Sequence, residues 1–352
     1  MSRPALYRQP AAGLSRRGFL GLGAGVGAAA LLSACGSDGG GATASPTGAP
    51  TGAAAQEALE PYTVRTCVYA KNHASSALYW QQFAPEGITV EVTPVASATE
   101  IQNALEGGQL DFGLLAPYTP LIALSQDPGA ITSRIVGMIS RGGLGLCGKK
   151  GVVESVEDLR GKRIAVPPPT LQVLILNDVL REAGLELGRD VEAVPLGFAD
   201  HVTAFARGDV DAFMGSEPPV TQAIVEADGV RLPEAGQTAV GDFNTANWAS
   251  ARVLEERPDV VRAVCRMQRD AAEFLSPGGE NEQERWQELL VDQFGFSEAV
   301  YEEVLSNVGA RWRFDEERVA QVEGAARMLV EQGGIPSQPD LEVLYAREYW
   351  EV

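Results

Sequence analysis

Histidine is almost missing from this chain, with only His73 and His201 among 352 residues. The four cysteines stand at positions 35, 67, 147 and 265, and no Cys/His spacing among them resembles a zinc site. Basic residues are outnumbered, 28 Lys and Arg against 47 Asp and Glu, giving a formal charge of −19. A surface this acidic lacks the basic patches that neutralise phosphates, which argues against nucleic-acid binding. No Gly-rich phosphate loop and no nucleophile elbow occurs, so no catalytic constellation can be assembled and no cofactor is expected. Beyond residue 34 there is no apolar run long enough to cross a bilayer.

What is present begins at the N-terminus. Ser15-Arg16-Arg17-Gly18-Phe19-Leu20 opens a weakly apolar, Gly- and Ala-rich run that ends in Leu32-Ser33-Ala34-Cys35. A basic region, a short apolar region and a small-residue cleavage site in that order read as an export signal over residues 1–34. The run from Gly18 to Leu32 is shorter than the ~20 residues of a permanent span. Its paired arginines resemble the twin-arginine signal, and Leu-Ser-Ala-Cys resembles the lipobox of bacterial lipoproteins. Cys35 would then carry diacylglycerol and hold an extracytoplasmic protein on the membrane. Residues 35–61 are mostly Gly, Ala, Ser, Thr and Pro, which bury too little surface to offset their ordering entropy and predict a flexible tether. Loss of the four signal arginines leaves a mature charge near −23. Setting Cys35 aside leaves three cysteines, an odd number, so at least one thiol is free. A Cys67–Cys147 or Cys67–Cys265 bridge and small buried thiols are both open to an exported chain.

From residue 62 short apolar strands alternate with helical stretches. Strands are expected over 64–70, 88–95 and 110–115, with helices over 75–84 and 99–105. The succession returns with strands over 162–166, 191–196 and 210–214 and helices over 171–183 and 201–206, with Gly184 as a left-handed cap. Alternation of this kind implies βαβ units and a parallel sheet covered by helices. Ala104-Leu105, Gly108, Leu110 and Asp111 register with Ala204-Phe205, Gly208, Val210 and Asp211 at an offset of one hundred residues. Two similar α/β lobes explain the repeat, and Asp111 and Asp211, recurring in both, read as structural. Extended runs at 134–150, broken at Gly142-Gly143, and at 247–253 are candidate hinges. Helices over 258–275, 281–294, 297–308 and 315–332 are expected to pack back on the first lobe.

Several segments resemble one family. Asp158-Leu159-Arg160-Gly161-Lys162-Arg163-Ile164-Ala165-Val166 is similar to the opening of the second lobe of periplasmic-type solute receptors. Gly208-Asp209-Val210-Asp211-Ala212 followed by Glu217-Pro218, the Ala104–Gly113 block, and Arg257-Pro258-Asp259-Val260-Val261 fit the same pattern in the same order. Together they cover about residues 62–350. The group resembled is the substrate-binding proteins of ABC importers for nitrate, sulfonates, taurine and thiamine-pyrimidine precursors. The resemblance implies a type II periplasmic binding protein-like α/β fold. Lobe I would comprise 62–145 with 240–352, and lobe II 146–239. It also implies a monomeric receptor with a small-molecule ligand, not an enzyme, that hands its cargo to an ABC permease driven by an ATPase; a ligand-sensing lipoprotein and a pyrimidine-synthase-like enzyme of the same fold are the alternatives.

Ligands of such sheets sit beyond the carboxyl ends of the strands. Those ends supply Tyr69, Asn72, Ser97, Thr99, Tyr118, Thr119, Thr170, Phe198, Asp200 and Glu217, and Trp248 at the second hinge is a further candidate. The family often holds an anionic head group on helix N-termini helped by hydroxyls, a role that Ser97, Thr99, Thr119 and Thr170 fit alongside plain capping. Pro167-Pro168-Pro169 departs from the family's Gly or Ser there and removes three amide donors. Aromatic walls with Asp200, Glu217 and Asp242 nearby suit instead a flat or amine-bearing ligand.

Overall fold

Valine, threonine and tyrosine crowd Tyr62–Tyr69, and this half-buried, β-branched stretch forms β1. The computed structural model of the protein describes residues 59–69, 71–167, 170–275 and 287–352, all within a single unit that starts at Ala54. The export signal, Cys35 and nearly all of the tether lie outside the described residues, as do Pro168 and Pro169.

In the first lobe, β1 runs parallel to β2 (Ile88–Val95). On its other side, the Asp111 N–H donates to the Arg65 carbonyl and sets β1 beside β3 (Phe112–Leu115). The sheet continues through β10 (Phe243–Ala249), β4 (Arg134–Gly142) and β11 (Val308–Ala310), all antiparallel to their neighbours. In the second lobe the order is β7 (Glu192–Pro195), β6 (Arg163–Val166), β8 (Ala212–Ser216), β5 (Leu144–Lys149), β9 (Gly229–Leu232). Each lobe therefore sets a trio of strands, β2-β1-β3 and β7-β6-β8, beside one strand that arrives from the other lobe, β10 and β5. The helices are α1 (Ala98–Glu106), α2 (Tyr118–Gln126), α3 (Leu171–Glu182), α4 (His201–Arg207), α5 (Pro219–Glu226), α6 (Ala251–Glu256), α7 (Pro258–Phe274), α8 (Glu298–Val304) and α9 (Glu316–Glu331).

The internal repeat extends to individual hydrogen bonds. Asp111 accepts from the Arg65 N–H at 2.9 Å while Arg65 Nη2 donates to Gly108 O at 3.0 Å. Asp211 accepts from the Arg163 N–H at 2.9 Å while Arg163 Nη2 donates to Gly208 O at 2.8 Å. In each lobe an arginine–aspartate peg fastens the first strand of the trio to the turn before the third. The structural reading of the two aspartates stands.

The chain passes from β4 to β5 through Gly143 and returns between β9 and β10 over residues 233–242. Gly143 has φ +73°, and a Cβ on it would lie 2.1 Å from the His73 ring, so only glycine lets the chain turn there. Helix α7 buries Val260, Val261, Val264, Met267 and Ala271 in the first lobe's core, as expected.

Four expectations are revised. The segment 76–83 is a 3-10 helix, because Ser76 Oγ and Trp80 Nε1 both donate to Gln268 Oε1 and tie it to α7. The second hinge strand begins at Phe243, not 247, and residues 251–256 are helical behind the Ser250 cap. The helix expected through 308 stops at Val304, and Val308–Ala310 pairs with β4 instead. Helix α9 does not serve the first lobe alone. Gln332 Nε2 donates to Leu174 O at 3.0 Å, Asn177 Nδ2 to Gln332 Oε1 at 3.3 Å, and Arg181 pairs with Glu331, which seats α9 on α3 of the second lobe.

Candidate functional site: the interlobe cleft

Three helices start at the cleft between the lobes. Ala98 opens α1, Tyr118 opens α2, and Leu171 and Gln172 open α3 behind Thr170; all of these line the cleft. The first amides of each helix precede any intrahelical carbonyl, so they and the positive end of the helix dipole border the cavity. Tyr69, Asn72, Ala116 and Phe198 complete the walls from the strand ends, and Leu144, Asn244 and Thr245 from the hinge. The space between these walls, counted out into open solvent, is about 470 Å³.

None of the lining residues is an Asp, Glu, Lys, Arg or His. The walls are aromatic (Tyr69, Tyr118, Phe198), with amides and hydroxyls between them. Burial pushes the Tyr69 hydroxyl well above its ordinary value and raises that of Tyr118, so both act as neutral donors. The hydroxyls of Thr119 and Thr170 are buried and have no hydrogen-bond partner, and that of Thr170, which lines the cleft, is left able to donate to a bound group. The Asn244 amide is already engaged, donating to Gly142 O and accepting from Thr245 Oγ1, each at 2.6 Å. It braces the hinge from inside the cleft.

The lobes touch at the cleft's edge. Asn72 Nδ2 donates to Ser216 Oγ at 3.1 Å, and the Asn72 carbonyl oxygen of the amide accepts from the Ala74 N–H at 2.8 Å. Beside it the buried His73 ring lies 3.2 Å from Glu217 O through Nδ1. Burial lowers the His73 pKa to about 4, so the ring is neutral at pH 7 and Nδ1–H is the donor in this contact.

Of the residues anticipated for the ligand, Tyr69, Asn72, Tyr118, Thr170 and Phe198 line the cleft together. The other six do not. Ser97 caps α1, accepting from the Glu100 N–H at 3.2 Å, and Thr99 is exposed on that helix. Thr119 sits one position behind the wall. Asp200 is exposed outside the cleft. Glu217 is fully buried in an ion pair with Arg231 and accepts from the Thr221 N–H at 2.9 Å, so its charge is spent inside the second lobe. Trp248 is fully buried, and its Nε1 donates to Leu115 O at 3.0 Å in the first lobe's core. Asp242 pairs with Arg318. The carboxylates expected to meet an amine are thus absent from the walls. Leu144, Gln172, Asn244 and Thr245 escaped the sequence reading. The signal was there for the hinge residues, since Leu144 follows the Gly142-Gly143 break and Asn244 follows the Gly241-Asp242 turn.

The thiols of Cys67, Cys147 and Cys265 are free and buried, and burial pushes each up to about 12. None is a thiolate at neutral pH.

Fold and cleft define a two-lobed α/β protein with an open cavity between its sheets. A model of the NMT1-like family matches residues 69–289, and the chain belongs to that family. It is 30% identical over 193 residues to the taurine-binding periplasmic protein of Escherichia coli K12, a match covering 54% of this chain and 58% of that protein. The chain spans about half the length of the curated relatives it matches. Among solved structures, the alkanesulfonate-binding protein SsuA from Xanthomonas axonopodis pv. citri bound to MOPS aligns with TM-score 0.65 at 22% identity, covering 80% of this chain and 97% of that one. The desulfurization enzyme DSZB shares the fold too, with TM-score 0.59 at 17% identity over 82% of this chain and 97% of that one.

Proposed function

We propose that the protein is an extracytoplasmic solute receptor of an ABC importer, and that its cargo is a small organic oxyanion with a flat apolar body and no amino group. The observation that carries this reading is the cleft: three helix N-termini border it, aromatic rings wall it, and it presents no carboxylate. Dipoles and open amides favour an oxyanion; the rings of Tyr69, Tyr118 and Phe198 favour an apolar body by stacking. An ammonium would enter without a counter-charge. Pro167–Pro169 does not remove the anion donors, because the amides bordering the cleft belong to Leu171 and Gln172, beyond the prolines.

The taurine-binding and alkanesulfonate-binding relatives support the importer reading. Capture needs only closure about the two crossings at Gly143 and 233–242, followed by docking of the closed form on a permease whose ATPase drives entry. Export by the twin-arginine route and diacylglycerol on Cys35 would keep a monomeric receptor near that permease. Catalysis of a thiol-dependent kind is disfavoured by the buried, protonated cysteines.

Thermal unfolding against a panel of aromatic and aliphatic sulfonates and carboxylates, taurine, nitrate and polyamines tests the cargo. A ligand present at ~100 times its dissociation constant adds about 2.7 kcal/mol of stability, a readily visible shift. An aromatic sulfonate or carboxylate should outperform taurine, and Phe198→Ala should abolish that preference. Stabilisation by taurine or a polyamine alone would overturn the class. Replacing Cys35 with Ala should move the protein from the membrane to the soluble fraction; retention on the membrane would sink the anchor.

A further inference from the structure

Three arginines from three elements converge beside the first hinge crossing, outside the residues that line the cleft. Arg141 stands near the end of β4, Arg311 just past β11, and Arg318 in the first turn of α9. The carboxylate among them is Asp242, whose backbone carbonyl accepts from the Gly142 N–H at 2.7 Å and so belongs to the crossing itself. Its side chain is taken by Arg318 Nη1 and Gln321 Nε2, and it reaches Arg141 only at 4.0 Å. Arg318 is further matched by Glu317 at 3.3 Å and Asp315 at 4.0 Å.

Arg141 and Arg311 have no comparable partner. Arg141 Nε is buried without a hydrogen bond. Among the described residues no carboxylate lies within 4.0 Å of Arg311, whose Nη1 donates to Ala310 O at 2.8 Å. The two side chains lie side by side: Arg141 Nε and Arg311 Nη1 are each 3.2 Å from the point a Cβ on Gly309 would occupy. Burial, then the neighbouring Arg141 charge, holds Arg311 below the ordinary arginine range. In a chain of net charge −19, two half-buried guanidiniums lie together with one carboxylate only at 4.0 Å from Arg141 and none within 4.0 Å of Arg311 among the described residues. Such charges are costly unless paired.

We propose that Arg141 and Arg311, backed by Arg318, form a second binding site, distinct from the cleft, for a divalent tetrahedral oxyanion of the sulfate or hydrogen phosphate class. Two guanidiniums, one unpaired and one paired only at 4.0 Å, suit a dianion better than a monoanion. Guanidinium forks grip oxyanions through paired N–H donors, which a halide cannot exploit. The site differs in kind from the cleft, which presents helix ends and no charged side chain.

The test is calorimetric titration of the whole chain with sodium sulfate in Tris-chloride at constant ionic strength, with chloride as the competing anion and a parallel titration with phosphate. One saturable sulfate site is expected. Arg141→Gln and Arg311→Gln should each weaken it at least about tenfold, as loss of a charged hydrogen-bond donor does, while Phe198→Ala in the cleft leaves it intact. Thermal melts guard against misfolding. Without sulfate, Arg311→Gln should melt no lower than wild type, because it removes an unpaired charge, and sulfate should raise the melting temperature of wild type and Phe198→Ala more than that of either arginine variant. Sulfate binding no tighter than chloride would overturn the site. So would arginine variants that keep sulfate while Phe198→Ala loses it, since the anion would then sit in the cleft.

Discussion

Asp111 and Asp211 occupy matching places in the two lobes, so replacing each with Ala asks the same question twice in different surroundings. Asp111 is fully buried and takes four kinds of donor: the Arg65 N–H at 2.9 Å, the Arg65 guanidinium at 3.1 and 3.2 Å, the Tyr62 hydroxyl at 3.1 Å and Arg252. Removing one member of a buried ion pair costs about 3–5 kcal/mol. Arg65 and Arg252 are 37% and 38% exposed and would partly rehydrate, so the lower end, about 3 kcal/mol, applies. Asp211 is 25% exposed, accepts one backbone N–H, and lies 3.8 Å from Arg163 Nε. One charge-assisted bond plus a solvated ion pair comes to about 2 kcal/mol. The gap, roughly 1 kcal/mol, is about a fivefold difference in unfolding equilibrium. A two-lobed chain need not unfold in one step, so amide hydrogen exchange, read separately on β1/β3 and β6/β8, is the assay. Equal losses in the two lobes, or a larger loss at Asp211, would refute the argument that burial and donor number set the value of each peg.

Trp248→Ala should cost about 3–5 kcal/mol by emptying a core site, visible as a lowered urea midpoint; unchanged stability would contradict its burial. The three described thiols should resist a thiol-specific reagent at pH 8 in the folded protein and react on addition of denaturant; rapid modification of the native chain would mean they are not buried thiols near 12. His73, neutral at pKa about 4 when folded against an ordinary 6.5, favours the folded state above pH 6.5, and that contribution falls away as pH drops toward 4, because only the unfolded chain takes up the proton. It amounts to about 3 kcal/mol. Stability curves of wild type and His73→Gln should therefore converge or cross over this window; parallel curves would contradict the buried neutral ring.

The alternating strands and helices and the repeat were legible because hydrophobic period and Gly-Asp turns are local signals, whereas the antiparallel strands that complete each sheet were not. Ile88–Val95 and the α3 stretch from Leu171 needed nothing beyond their own neighbours. Helices α2 and α5 went unread because Tyr118-Thr119-Pro120 and Pro218-Pro219 look like loop, although proline is at home in a first helical turn. The cleft was half legible. Strand ends named Tyr69, Tyr118 and Phe198 correctly as neighbours of the cavity, but no sequence pattern states that Glu217 will find Arg231 or that Trp248 will turn inward to Leu115 O. Those outcomes depend on partners far away in the chain, and they changed the chemistry of the site from acidic to neutral.

The seating of α9 on α3 bears on how this molecule could be taken apart. The two sheets suggest modules to exchange or express singly, with cuts at Gly143 and within 233–242. A second-lobe fragment cut there would leave behind Val319, Val322, Ala325, Ala326 and Met328, which share one apolar cluster with Leu171, Leu174 and Ile175. Its α3 would meet water on a face that the C-terminal helix now covers. The unit of exchange is consequently the second lobe together with α9, two pieces separated in sequence, and a chimera that respects only the hinge would inherit a bare helix.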